Sequence, residues 1–282
     1  MTGKIGPTWT LSGFGDEIDD DPDIQSVVLQ ALGASHLDLR SAWGTNVLSF
    51  DDNQVARLRA CLDQRAMRVA AIASPIGKID IALPVEVSLA SLERAIEMTR
   101  IFETSYIRIF SFYRAEDKTP EVIRDAVLER MAALARRAEQ AGVTLVHENE
   151  KGIYGDTPDR VRDLIESIGS VRLRVVWDPA NFVQVGVHPF RDGYAMLAPY
   201  IDYVHIKDAR FVSGSVVPAG EGDGDLPETI AALAQANYSG FISLEPHLAT
   251  EGNATGIPSA AAFGLAARAF RKIAEQAGVT LR

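Results

Sequence analysis

Short apolar segments alternate with longer helix-forming segments along the whole of this 282-residue chain. Eight such pairs follow one another at fairly regular spacing, with no linker or low-complexity segment between them. Alternation of this kind predicts a parallel sheet whose strands are joined by helices. Eight units favour a closed barrel over an open doubly wound sheet, which usually has fewer strands. We therefore predict one α/β domain, a (β/α)8 barrel, over residues 1–282.

The positions of the predicted elements follow from apolar runs and from helix-boundary residues. Strands are predicted at residues 9–14, 36–39, 69–73, 106–110, 143–146, 173–177, 201–206 and 240–244. Helices are predicted near residues 22–33, 52–65, 85–102, 120–140, 158–169, 190–197, 227–236 and 259–276. Neither a Gly-x-Gly-x-x-Gly motif after the first strand nor a P-loop is present, so a nucleotide-binding sheet is the weaker alternative.

Composition narrows the class of protein. The net charge of −10 argues against a nucleic-acid partner, because non-specific affinity for the phosphate backbone comes from clustered Lys and Arg. The single cysteine, Cys61, rules out an intramolecular disulfide and favours a reducing compartment. The N-terminus lacks a signal pattern, and no apolar run approaches the roughly 18 residues of a membrane span. We expect a cytoplasmic protein that engages neither nucleic acid nor membrane.

Four of the predicted strands end abruptly in an acidic or imidazole side chain. The four residues are Glu148, Asp178, His205 and Glu245. Chemistry in such barrels occurs at the carboxyl ends of the strands, so these side chains are expected to meet in one metal site. An acidic residue at a strand–helix junction often only caps the helix, and for a lone residue we would favour that interpretation. Four in the same topological position, each behind an apolar run, reverse the preference.

Three carboxylates and one imidazole suit a hard or borderline divalent ion such as Mg²⁺, Mn²⁺ or Co²⁺. A structural zinc site would require thiolates, and the chain has one cysteine. The sequence therefore predicts an oxygen-rich, mononuclear site.

The segments around these residues resemble those of the xylose isomerase-like TIM barrels, the sugar phosphate isomerase/epimerase superfamily. The matching segments are Leu-Val-His-Glu-Asn at 145–149, Trp-Asp-Pro-Ala-Asn at 177–181, Val-His-Ile-Lys-Asp at 204–208 and Leu-Glu-Pro at 244–246. The family includes ketose 3-epimerases, hydroxypyruvate isomerases, inosose dehydratases and, more distantly, endonuclease IV. The resemblance implies that the four residues bind one divalent ion (Mn, Co, Mg or Zn). It also implies that Glu148 and Glu245 act as acid/base groups on opposite faces of the substrate.

Such a site acidifies the C–H beside a carbonyl, and one carboxylate removes the proton that the other returns. We therefore expect a divalent-metal-dependent isomerase or epimerase that acts on a small ketose or related polyol derivative through an enediolate. A lyase on the same scaffold, either an inosose-type dehydratase or a 3-keto-sugar eliminase, is the first alternative. A non-catalytic sugar-binding barrel or complex subunit is the second, although a degenerate site would be expected to lose at least one ligand.

Two departures from the family carry information. Several members have His three residues after the metal-binding Asp, whereas this chain has Asn181. Endonuclease IV needs a His-rich trinuclear site with ligands on early strands, and the corresponding strand ends here offer Arg40-Ser41 and Ser74-Pro75. A nuclease is therefore disfavoured. By analogy with the family we expect a homodimer or homotetramer.

Polar and aromatic residues near the strand ends are predicted to contact the substrate: Arg40, Trp43, Lys78, Glu150, Lys151, Asn181 and Lys207. A loop-tip Lys or Arg is usually only solvated, but Lys207 lies two residues beyond His205 and is favoured. Arg108 is predicted to point outward between helices, and His147 to face the helix layer. Glu221 and Asp223 either support His205 through its other ring nitrogen or belong to a solvated loop.

Overall fold

The computed structural model describes residues 6–114, 118–249 and 259–282. Eight parallel strands surround the centre of the molecule: β1 (Thr8–Gly13), β2 (His36–Leu39), β3 (Arg68–Ala73), β4 (Tyr106–Ile109), β5 (Thr144–Glu148), β6 (Leu173–Trp177), β7 (Ile201–Ile206) and β8 (Phe241–Leu244). Each strand from β2 to β8 pairs with the next in the chain, and β8 pairs with β1. A parallel bridge between Phe14 and Asp38 joins β1 to β2. The predicted (β/α)8 barrel is confirmed.

Helices connect the strands and cover the barrel. The α-helices are α1 (Pro22–Ala31), α2 (Asp52–Gln64), α3 (Val85–Ile101), α4 (Pro120–Ala141), α5 (Pro158–Ile168), α6 (Pro179–Val183), α7 (Ala195–Leu197), α8 (Leu226–Gln235) and α9 (Ser259–Gln276). Short 3-10 helices span Gly15–Glu17, Val47–Ser49 and Ala198–Tyr200, and a π-helix spans Pro189–Tyr194. No helix in the described ranges is both long enough and apolar enough to cross a membrane.

Local sequence explains where the main helices begin and end. Asp51 and Gln54 form a capping box at the start of α2, in which each side chain accepts from the other residue's backbone N–H. At the end of α4, Gly142 adopts a left-handed conformation with φ of 74°, which glycine tolerates without strain. Predicted and observed helix boundaries differ by only one or two residues at these sites.

Several short elements of the structure were not predicted from the sequence. Two hairpins, Ser41–Ala42 with Thr45–Asn46 and Asp208–Ala209 with Val216–Val217, follow β2 and β7. A last strand, Thr280–Leu281, pairs with the beginning of β1. Helix α6 begins directly after Asp178 and has five residues. Elements this short contain too few residues to develop a hydrophobic period.

The buried apolar residues in the described part of the chain form four clusters, and two of them involve the barrel strands. The larger of these two clusters fills the layer between the strands and the helices and includes Ile107, Ile109 and Leu145. The smaller cluster lies inside the barrel, where Val146, Val176 and other small or aromatic residues pack. Adjacent residues on a strand point to opposite faces, and on β5 Leu145 therefore packs in the larger cluster and Val146 in the smaller cluster.

Candidate active site

The four predicted metal ligands converge at the carboxyl end of the barrel. Glu148 is the last residue of β5, Asp178 caps α6 after β6, His205 lies near the end of β7, and Glu245 follows β8. Each is no more than 2% exposed. One donor atom from each residue lies within 4.8 Å of the corresponding atoms of the others. His205 Nδ1 is 3.1 Å from Glu245 Oε2 and 3.7 Å from Glu148 Oε2.

Three ligand atoms in this cluster, Asp178 Oδ2, His205 Nδ1 and Glu245 Oε2, have close ion-pair contacts but no hydrogen bond of good geometry within the described part of the chain. Buried polar atoms without hydrogen bonds are costly, and in native proteins they call for a specific explanation. Three oxygen ligands and one nitrogen ligand match the preferences of a divalent ion such as Mg²⁺, Mn²⁺ or Co²⁺. The residues therefore fit a divalent metal.

Two asparagines orient the carboxylates of Glu148 and Asp178. The Asn149 side chain accepts from the Asp178 N–H at 3.1 Å and donates to the Asp178 carbonyl oxygen at 2.9 Å. Asp178 Oδ1 accepts from the Asn181 N–H at 3.0 Å, which turns Oδ2 toward the cluster. The Asn181 amide also donates to Glu148 Oε1 at 3.1 Å. The predicted substrate residue Asn181 therefore contacts a metal ligand directly.

Arg108 lies inside the barrel, so its predicted outward orientation is wrong. It is 6% exposed, and its Nη1 lies 3.1 Å from Glu148 Oε2 and 3.3 Å from Glu245 Oε1. Its neighbours Ile107 and Ile109 pack in the helix-facing core. Because strand residues alternate, these two isoleucines direct Arg108 inward. That pattern in Tyr-Ile-Arg-Ile was the sequence signal available for finding it.

Lys207 supplies a second buried cation. Its Nζ lies 2.9 Å from Asp178 Oδ2 and 3.6 Å from Glu245 Oε2, and the residue is 4% exposed. Burial raises the pKa of Asp178 to about 6 even though the Lys207 charge opposes that rise. Burial also acts to raise the pKa of Glu245, but the charges of Lys207 and His205 outweigh it and hold that pKa well below the usual range.

The imidazole of His205 is protonated at neutral pH when only these side chains surround it. Burial acts to lower the pKa of His205, but the carboxylates of Glu148 and Glu245 outweigh burial and raise it to about 10. In the metal-free protein the carboxylates of the cluster are compensated by three cations: protonated His205, Arg108 and Lys207. A bound divalent ion would compensate the same carboxylates. A divalent ion bound at His205 Nδ1 would therefore displace a proton from the imidazole.

An acidic loop after β1 extends the site, and the sequence analysis assigned it no role. Arg40 Nε is 2.7 Å from Asp16 Oδ2, and Arg40 Nη1 is 3.1 Å from Glu245 Oε1. His247 Nε2 lies 3.0 Å from Glu17 Oε1 and 3.5 Å from Glu245 Oε1. Glu17, Glu245 and His247 form a second group of close donor atoms. The Arg40 guanidinium, 3.5 Å from Glu17 Oε1, already supplies a cation between these carboxylates.

A cavity of about 160 Å³ opens beside the four ligands. Its polar lining residues are Arg40, Asn46, Lys78, Arg108, Glu148, Glu150, Lys207, Glu245 and His247. Four of the predicted substrate residues, Arg40, Lys78, Glu150 and Lys207, are among them. Lys78 Nζ and Glu150 Oε2 form an ion pair at 3.0 Å on one wall.

Three of the seven predicted substrate residues, Trp43, Lys151 and Asn181, do not line this cavity. Trp43 and Gly44 both have positive φ, at 52° and 68°, and form the turn of the hairpin after β2. The Trp43 ring packs near Phe50 and lies under the guanidinium of Arg57 at 4.6 Å. Lys151 is exposed. Trp43 is half-buried and packs against the main core, outside the cavity lining.

The remaining side-chain predictions concern His147 and the glycine-rich loop. His147 points away from the four ligands and contacts Ser111 Oγ at 2.9 Å. Asp223 accepts from the Phe211 N–H at 2.7 Å, and Glu221 is exposed, so neither contacts His205. The loop is instead organised by Asp208, which accepts from the N–H groups of Gly220 and Gly224 at 2.8 and 2.9 Å.

The chain belongs to the xylose isomerase-like TIM barrel family, because the family's sequence profile matches residues 28–273. A curated relative from Actinoplanes sp., 2-epi-5-epi-valiolone 7-phosphate 2-epimerase, is 27% identical over 242 residues, which cover 83% of each chain. A xylose isomerase-like TIM barrel protein from Mycobacterium smegmatis, solved in complex with magnesium, superposes with a TM-score of 0.69 at 19% identity over 95% of this chain and 97% of that chain. A D-tagatose 3-epimerase-like protein superposes with a TM-score of 0.74 at 17% identity over 95% of this chain and 99% of that chain.

Proposed function

We propose that this chain is a divalent-metal-dependent isomerase or epimerase that acts on a small ketose or related polyol derivative. The observation that carries the proposal is the convergence of four buried ligand atoms, one each from Glu148, Asp178, His205 and Glu245, within 4.8 Å of one another. The epimerase activity named for the Actinoplanes relative supports the same class of reaction. A single Mn, Co, Mg or Zn ion fits the ligand set. The cytoplasmic location and the homodimeric or homotetrameric state remain predictions from the sequence.

A divalent ion held by the four ligands supplies a Lewis acid that polarises a substrate carbonyl and acidifies the neighbouring C–H. Glu148 and Glu245 come from β5 and from the end of β8, and they enter the cavity from different strands. In our proposal one of them removes the proton to give an enediolate and the other returns a proton from the opposite face. Return to the same carbon gives an epimer, and return to the neighbouring carbon gives an aldose–ketose shift.

The cavity lining suits a hydroxyl-rich substrate. Arg40, Lys78 and Lys207 donate hydrogen bonds, and Glu150 accepts them, so both the oxygen and the hydrogen of a hydroxyl group find partners. Arg108, between the two glutamates, is a further donor to substrate oxygens. Asn181 keeps Glu148 in a fixed orientation through its 3.1 Å hydrogen bond.

The first experiment measures metal content per chain by elemental analysis, on the wild type and on His205→Ala. About one divalent ion per wild-type chain, lost in the variant, supports the mononuclear site. No metal uptake, even after addition of Mn²⁺, Co²⁺, Mg²⁺ or Zn²⁺, contradicts the proposal.

The second experiment incubates the metal-loaded protein with a panel of ketoses and polyol ketones in D₂O and follows C–H exchange by NMR. A non-catalytic sugar-binding barrel gives no exchange. Exchange with epimer or aldose formation supports the proposal, whereas an unsaturated product identifies a lyase. Glu148→Gln should lower exchange by about 10²–10⁴-fold, the usual contribution of a general acid or base, while its circular dichroism stays that of the wild type.

A further inference from the structure

A buried carboxylate inside the barrel receives three hydroxyl groups from other strands. Asp38 on β2 is 2% exposed, and its Oδ2 accepts from Ser12 Oγ at 2.6 Å and from Ser243 Oγ at 2.5 Å. Its Oδ1 accepts from Tyr203 Oη at 2.6 Å. These four residues, which we call the floor network, join β1, β2, β7 and β8.

Three members of the floor network lie two residues before a residue of the candidate active site: Asp38 before Arg40, Tyr203 before His205, and Ser243 before Glu245. Ser12 lies two residues before Phe14, whose ring contacts His205. Strand residues two apart share one face of the sheet. The network therefore lies directly beneath the half of the site that contains His205, Glu245 and Arg40.

The opposite half of the barrel has an apolar floor. Val146 lies two residues before Glu148, and Val176 lies two residues before Asp178, and both are fully buried. Apolar side chains are therefore enough to fill this level of the barrel. The carboxylate with three charge-assisted hydrogen bonds lies in the half of the barrel formed by β1, β2, β7 and β8, where it fixes strand positions more narrowly than packing does.

The floor network also connects the two neighbouring barrel strands that share the fewest paired residues. Strands β1 and β2 meet at the parallel bridge between Phe14 and Asp38, whereas every other neighbouring pair of barrel strands has a ladder of several residues. The hydrogen bond from Ser12 Oγ to Asp38 connects these two strands. Without it, fewer contacts fix the position of β2, and of Arg40 at its end, relative to β1 and β8.

Aromatic contacts extend the network up to the site. The Tyr203 ring meets His205 edge-on, with centroids 5.9 Å apart, and Phe14 meets the same imidazole edge-on at 5.2 Å. The Arg40 guanidinium lies 4.7 Å from the centre of the Phe14 ring. A displacement of the floor network would therefore alter the contacts of the His205 ring with both Tyr203 and Phe14.

We propose that Asp38 is a positioning residue, which sets the relative positions of His205, Glu245 and Arg40 by binding Ser12, Tyr203 and Ser243. The inference rests on the proposed metal centre, since its effect is on the geometry of two of the four ligands. Asp38 itself touches neither the metal ligands' donor atoms nor the cavity lining in the described residues.

The test is Co²⁺ binding by purified protein, followed by titration and by the visible absorption spectrum, which reports the geometry of the ligands independently of activity. Asp38→Asn keeps the size of the side chain but replaces one acceptor by a donor. We expect its Kd for Co²⁺ to rise about tenfold, the lower end of the effect of removing groups that orient metal ligands, with an altered spectrum. Tyr203→Phe removes one of the three hydroxyls and should give a smaller change in the same direction.

Val146→Ala is the matched control, since it shortens an apolar side chain at the same level of the barrel and its ladder partners, Arg108 and Arg174, lie outside the floor network. It should lower Tm while Co²⁺ affinity and spectrum stay those of the wild type. A wild-type spectrum and affinity in both Asp38→Asn and Tyr203→Phe would overturn the inference and leave the metal centre standing. If Asp38→Asn does not fold, Tyr203→Phe decides the matter alone. A wild-type protein that binds no Co²⁺ would overturn the metal centre and this inference together.

Discussion

The Nη1 atom of Arg108 lies 3.1 Å from Oε2 of Glu148, and both residues are more than nine-tenths buried. The same nitrogen lies 3.3 Å from Glu245 Oε1. One guanidinium thus contacts both of the carboxylates proposed to exchange protons with the substrate. Its charge partly offsets theirs in a region from which water is largely excluded.

Arg108→Met should destabilise the metal-free protein by about 3–5 kcal/mol, because removing one partner of a buried ion pair leaves the other charge uncompensated. Added Mn²⁺ should recover much of that loss, since the ion compensates the same carboxylates. Urea unfolding with and without Mn²⁺ measures both effects. Arg191→Met is the control: its pair with Asp192 is exposed, and it should cost less than about 1 kcal/mol. Equal losses in the two variants would contradict the role given to Arg108.

Metal affinity should rise with pH across the neutral range. The pKa of His205 is raised to about 10, so below that pH a proton competes with the metal for the imidazole. We expect the apparent affinity to rise by up to about tenfold per pH unit between pH 7 and 9, with release of about one proton per ion bound. Calorimetry in two buffers of different ionisation enthalpy measures that proton. His36→Gln, at the other end of the barrel, should keep the same profile, and a flat profile in the wild type would contradict the assignment.

The metal-free protein should show the opposite trend in stability. His205 has a folded-state pKa of about 10 against about 6.5 in the unfolded chain, so the folded state binds the extra proton between these values. Its contribution is fully present below pH 6.5 and is lost as the pH rises to 10. Urea unfolding of the metal-free protein at pH 6.5, 8 and 9.5 should give a falling free energy of unfolding. A rise over that range would show that His205 is neutral in the folded state.

The strand order and the four converging ligands were predictable because both depend on local patterns. An apolar run followed at once by Asp178 or Glu245 marks a strand end, and parallel strands bring their carboxyl ends together. The floor beneath the ligands was not predictable in the same way. Ser12, Asp38 and Ser243 are ordinary polar residues in their own segments, and only the closure of β1 against β2 and β8 brings them together.

The substrate residues were predicted less well for a related reason. Arg40, Lys78 and Trp43 all lie near strand ends, as predicted. The direction of each side chain depends on the conformation of the following loop, which the sequence does not specify. Positive φ values at Trp43 and Gly44 reverse the chain there, and the Trp43 ring packs beside Phe50 and Arg57. Arg108 was predicted to point outward but is buried in the barrel. Its charge is compensated there by Glu148 and Glu245, each more than 35 residues away in the sequence.

Asn181→Ala should slow turnover by about tenfold or more, because Glu148 Oε1 loses its 3.1 Å donor and the carboxylate loses its fixed orientation. The rate of C–H exchange in D₂O measures the effect, with Co²⁺ affinity measured on the same samples. Gln184→Ala is a matched control on the next turn of the chain, since its amide donates to the Gly214 carbonyl at 3.0 Å and not to a ligand. Equal slowing in both variants would point to a general disturbance of α6 and its neighbourhood.

Lys78 and Lys151 offer a direct test of which strand-end cations bind the substrate. Lys78 lines the cavity and pairs with Glu150 at 3.0 Å, whereas Lys151 is exposed. Lys78→Met should raise KM by about tenfold with little change in kcat, the expected result of losing one charged hydrogen bond made equally in the ground and transition states. Lys151→Met should leave both constants within about twofold, as a surface substitution away from the site does. Steady-state kinetics on the substrate found in the D₂O screen measures the two variants side by side. The reverse order of effects would mean that the substrate reaches the metal past Lys151, along the outer side of the β5 loop, and not through the cavity lined by Lys78.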